Sequence, residues 1–222
     1  MPTAAEQRAY YDDFVAYVND LCTQPGVRSR LSTGRGRPVE QCAALDRFLT
    51  PRTAGRAGRR AYYTTATLIA LAGPQAHTPG VRPAPGLPGP GGIAEAHTPV
   101  LPQAVTLLPA PAADHNTPRP AKAQDTTTWY RRPNLGATFA AAVQRAHHNE
   151  QRTDDTLHVL TRLGDDHLHR RLPAHINRLL SDGLTPDWAV LLHDLIQRTY
   201  HRESVGLRWR DAFYLALTDQ NN

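Results

Sequence analysis

Four arginines, Arg28, Arg30, Arg35 and Arg37, sit in the stretch RSRLSTGRGRP at residues 28–38, and no acidic residue interrupts them. Each guanidinium is a planar fork of N–H donors that can hold a phosphate bidentately. Gly34 and Gly36 stand among them, and glycine lets backbone come close to a ligand. The chemistry on offer is a grip on a polyanion. The charge map agrees. Residues 1–27 sum to −3, 28–60 to +7, 61–133 to +2 and 134–222 to −1, so the positive field is concentrated in one segment. A local basic field points to a polyanionic partner more strongly than a diffuse one does.

Other chemistry has less support. His147, His148, His158, His167 and His169 lie near Asp154, Asp155, Asp165 and Asp166, but no HExxH occurs. These runs read as solvated helix faces and not as a metal site. Asp165 and Asp166 suit the start of a helix. Cys22 and Cys42 form no CxxC pair and read as buried, reduced thiols of a cytoplasmic protein. There is no GxSxG, and GRGRP lacks the GK[ST] of a nucleotide-binding loop. The expectation is a protein with no catalytic residues, no metal and no cofactor.

Further arginines occur at Arg59, Arg60, Arg131, Arg132, Arg170, Arg171, Arg178, Arg198, Arg202, Arg208 and Arg210. Any one of them alone reads as a solvated face or a helix ion pair. Arg170 lies four residues after Asp166, which places the two on one helix face. No helix-turn-helix or zinc finger is visible, which favours contact with phosphates over readout of bases. An alternative is a structural adaptor whose arginines meet acidic protein partners.

The positioning elements read as helices. Tyr11, Phe14, Val15, Val18, Leu21 and Cys22 give a helix over 5–23, stopped by Pro25-Gly26. Residues 28–37 form a short turn and loop. Pro38 opens a helix with Val39, Cys42, Leu45, Phe48 and Leu49 inward, and Pro51 ends it. A third helix covers about 57–72, although its Thr-rich centre also fits a strand. Residues 73–133 hold 13 of the 19 prolines, too many to pack as a helix or central strand. Helices then resume at Leu135, Leu157 and Leu168. Pro173 ends or kinks the last of these and opens another, with Ile176, Leu179 and Leu180 inward. Thr185 caps a helix that buries Trp188, and a final helix from about 203 buries Trp209. Trp129 is the exposed aromatic available for stacking on a base. The fold class is all-α: two small helical bundles, 1–72 and 134–222, joined by the long Pro/Gly-rich segment 73–133. No run of about 18 apolar residues exists, so no membrane span is expected, and MPTAAEQRAYYDD does not read as a secretory signal.

The landmarks RSRLSTGRG, YYTTATLIAL, NLGATFAAAV, LPAHINRLLSDGLTPDWAVLLHDL and LRWRDAFY, in that order, resemble the CasB family, the small subunit of the type I-E CRISPR Cascade complex. The block from Leu172 to Leu195 is the most specific, through Arg178, Leu179, Leu180, Gly183, Asp187, Trp188, Leu191, Leu192, Asp194 and Leu195. Arg208, Trp209, Phe213 and Tyr214 match the terminal helix. Residues 73–133 fall outside the resemblance. The resemblance implies a non-catalytic, all-helical subunit, dimeric within Cascade. It implies partners in guide RNA, in single-stranded or R-loop DNA and in other Cascade subunits. It further implies strand contacts at Arg28, Arg30, Arg178 and Arg208. Two departures stand out. Ser29 separates Arg28 from Arg30, and Asp211 occupies the place of a family arginine, with Arg210 one step earlier.

Overall fold

The computed structural model describes residues 3–73, 129 and 131–219, and every regular element among them is helical. Most of the segment expected at 73–133 lies outside these residues. Helix α1 runs Ala4–Thr23 behind a capping box, in which Thr3 Oγ1 accepts from Glu6 N and Glu6 Oε2 accepts from Thr3 N. Its buried stripe is Tyr11, Phe14, Val15, Val18 and Leu21 as expected, but Cys22, expected with them, is only half-buried. Helix α2, Val27–Leu31, turns Val27 and Leu31 inward and leaves Arg28 and Arg30 exposed.

Pro38 precedes only a 3-10 turn, Val39–Gln41, and α3 begins after Cys42, at Ala43–Thr53. Pro51 does not end α3. It sits in the last turn, where few backbone bonds remain to lose, and Thr53 Oγ1 returns a bond of 2.8 Å to Leu49 O. Helix α4, Arg59–Ala72, is buried continuously from Ala61 to Ala70. Its threonines fit a helix because a hydroxyl can bond inside it: Thr67 Oγ1 donates to Tyr63 O at 2.9 Å. Around α4 pack α1, α2 and α3.

The second half consists of α5 (Leu135–Ala146), α6 (Glu150–Arg162), α7 (Asp165–Ser181) and α8 (Trp188–Thr218). Asn134 and Asn149 cap α5 and α6. Two expectations change here. Pro173 neither ends nor opens a helix, and α7 continues through it. Asp187, not Thr185, caps α8, accepting from Ala189 N and Val190 N. The expected final helix is present: non-helical backbone at His201 (φ −135°, ψ 49°) separates it from the helix that starts at Trp188, and the two runs are together called α8. Trp188 and Trp209 are fully buried in α8, as their spacing predicts. Helix α8 packs on α1, α4, α5 and α6, and α7 packs on α4, so the two helical parts share one core. Among the described residues no helix is long and apolar enough to cross a membrane.

Candidate nucleic-acid interface

The loop 34–37 alternates strictly. Gly34 and Gly36 are buried while Arg35 and Arg37 are exposed. The reason is steric. A Cβ on Gly34 would stand 2.4 Å from Thr67 Oγ1 of α4, and one on Gly36 would stand 1.8 Å from the His169 carbonyl oxygen of α7. Gly36 also needs φ +72°, and Arg35 is held at φ +38°, a conformation that non-glycine residues rarely adopt. The glycines therefore press the backbone onto two helices and aim the arginines outward.

Pro173 explains why His169 offers its carbonyl. In an uninterrupted helix that oxygen would accept from residue 173, but proline has no N–H to donate. The same loop is fastened by Arg60, whose Nη2 donates to Gly36 O at 2.9 Å and whose Nη1 donates to Asp166 Oδ1 at 2.7 Å. The Arg60 hydrogen bond holds the Asp166 carboxyl below the usual carboxylate range. Asp166 also pairs with Arg170 at 3.1 Å, the i,i+4 pair expected from spacing.

The expected contact residues divide by what their guanidinium groups already touch. Arg28 donates Nε to Ala70 O at 2.9 Å and lies over Gly73, capping the last turn of α4. Arg59 donates to Thr50 Oγ1 and to the Tyr63 hydroxyl. Arg132 bridges Asp12 and Asp187, with its Nε 2.6 Å from Asp187 Oδ2. Arg208 bonds Asp194, which is buried and also accepts from Trp209 Nε1 at 2.6 Å. Arg210 is half-buried beside Arg162 and Arg202 in a groove between α6 and α8. By contrast, Arg30, Arg35, Arg37, Arg131 and Arg178 are exposed, with no carboxylate bound among the described residues. Among the described residues no cluster of three or more His, Cys, Asp or Glu is placed to hold a metal ion.

Two arginines that spacing alone did not single out join the free set by position. Gly36 seats the loop beside His169 and Arg170 of α7, and the same helix carries exposed Arg171 two residues after His169 and exposed Arg178 about two and a half turns after it. Burial first, and then Arg171 and Arg178, hold the His175 imidazole below its ordinary value. Arg47 shares a shallow depression with Arg30, its guanidinium 4.3 Å from the Phe48 ring centre. One expectation fails. Trp129 is buried, 7% exposed, with its ring 6.2 Å from His193 and under the Arg132 guanidinium. The chain returns to the core there, so that ring is not available for stacking on a base.

These features define an all-helical protein with an arginine loop fixed to its helical frame. The family model of CRISPR-associated protein Cse2 matches residues 27–214. The chain belongs to that family, which is the CasB subunit of type I-E Cascade that the landmarks resemble. Two solved structures share its fold. One, a chain of a "CRISPR RNA-guided surveillance complex", is 23% identical, with a TM-score of 0.66 and 97% of each chain covered. The other, from a "CRISPR RNA-guided surveillance complex, pre-nicking", is 24% identical, with a TM-score of 0.66, covering 96% of this chain and 97% of that one. Among curated proteins no sequence matches.

Proposed function

We propose that the chain is a non-catalytic subunit of an RNA-guided surveillance complex that grips sugar-phosphate backbone. It contacts guide RNA and target DNA and holds the displaced strand, working as a homodimer beside other Cascade subunits. An R-loop is a near-balanced exchange of one duplex for another, so trapping the displaced strand shifts the balance. The observation that supports this most is the Gly-Arg-Gly-Arg loop, whose glycines face two helices and whose arginines face solvent without carboxylate partners among the described residues. Arg30, Arg131, Arg171 and Arg178 extend the set of free cations.

Changing Arg28, Arg30, Arg35 and Arg37 together to Ala is expected to weaken binding of single-stranded DNA or RNA in a mobility-shift assay while circular dichroism stays helical. Unchanged affinity would sink the reading. The affinity of the parent chain falls with salt at a log–log slope of roughly −0.7 per phosphate neutralised.

A second reading, an adaptor for acidic protein partners, draws on one observation. Val159, Leu207, Tyr214 and Leu215 are large apolar side chains left exposed on α6 and α8, near Arg162 and Arg210. A shallow salt dependence for the partner that binds would favour it.

A further inference from the structure

We propose that Arg60 is a positioning residue of the arginine loop and not one of its phosphate ligands. The inference rests on the polyanion reading above and names a different job within the same site. Arg60 is the second residue of α4, and its side chain is 21% exposed. Its fork is turned onto protein: Nη1 to the Asp166 carboxylate, Nη2 to Gly36 O and, at 3.4 Å, to Asp166 O. One side chain thus joins three elements, the start of α4, the loop and the first turn of α7. The other loop anchors, Gly34 on Thr67 and Gly36 on His169, are contacts of shape without a hydrogen bond from the side chain. Arg60 supplies the side-chain hydrogen bonds that fix the loop, and with it Arg35 and Arg37, against α4 and α7.

The test uses the full chain and a mixed-sequence single-stranded oligodeoxynucleotide. Arg35→Ala/Arg37→Ala is expected to lower the salt slope by about 1.4, two phosphates at 0.7 each. Arg60→Ala is expected to lower affinity and slope toward the same values, and to add nothing in the Arg35→Ala/Arg37→Ala background. Arg60→Lys keeps the charge but cannot bridge two acceptors in fork geometry, so it is expected to behave as Arg60→Ala. Gly36→Ala leaves Arg60 intact, displaces the loop, and is expected to give the same loss. Trypsin cleavage after Arg35, mapped by mass spectrometry, is expected to rise severalfold in both Arg60 variants; Arg37 precedes Pro38 and is not cut. Should Arg60→Ala not fold, Arg60→Lys and the cleavage map carry the test.

Full affinity in Arg60→Lys, losses that add to those of Arg35→Ala/Arg37→Ala, or unchanged cleavage would each overturn the positioning role while leaving the polyanion reading intact. No effect of Arg35→Ala/Arg37→Ala would remove the polyanion reading, and the role of Arg60 with it.

Discussion

His169 is a histidine whose neighbours keep it neutral. It is 4% exposed, with Nδ1 2.9 Å from Thr64 Oγ1, and burial pushes its pKa down to about 3, with Arg60 and Arg198 adding to the effect. In the unfolded chain an imidazole titrates near 6.5. Between those values the unfolded chain takes up a proton that the folded chain refuses. Stability is therefore complete above about pH 6.5 and is lost as pH falls toward 3. By pH 5 the loss is about 2 kcal/mol. Urea unfolding of His169→Gln is expected to be flatter between pH 7 and pH 5 than that of the parent; equal slopes would refute the assignment. At this scale the sequence is legible only where partners are near in the chain. Asp166 and Arg170 could be paired by spacing. The clamp of Arg132 on Asp12 and Asp187 could not, because those partners are 120 and 55 residues away. For the same reason Trp129, next to a Pro-rich stretch, reads as exposed when tertiary contacts bury it.

Apolar spacing locates the helices well, and the errors gather at prolines. Pro51 and Pro173 read as stops because the residue's local cost is visible and the compensation is not. In α3 the cost falls in the last turn, and in α7 the helix runs on through Pro173 with the Gly36 backbone packed close to the His169 carbonyl. Close approach of elements is equally hidden. Gly136, in the first turn of α5, brings that helix so near α8 that an added Cβ would stand 1.7 Å from Trp209 O. Gly136→Ala is expected to lower stability by about 2 kcal/mol, since overpacking outweighs the ~1 kcal/mol or less of helix propensity gained. Gly164→Ala, where nothing lies within 4 Å, is the control and should melt near the parent temperature. Equal melting of both variants would show that α5 is free to move away from α8.

Across the whole molecule, net charge by segment pointed to the loop, and the loop is where exposed arginines gather. The charge map could not show that Arg60 and Arg132 are engaged across the two halves, by Asp166 and Asp12, since that depends on how the halves meet. They meet on α4. That helix is buried on every side from Ala61 to Ala70, with α1, α2 and α3 on part of its surface and α7 and α8 on the rest. The fragment 1–73 is accordingly expected to lack a cooperative thermal transition by circular dichroism, and a sharp transition would contradict this. On the ribosome the same arrangement imposes a wait. The α4 segment emerges long before Leu172 and Trp209 have been made. At about 5 to 20 residues per second that interval lasts roughly 7 to 30 s. During synthesis the part of α4 that α7 and α8 cover stays exposed for that time, so the nascent N-terminal half waits with apolar surface uncovered until the final helix arrives.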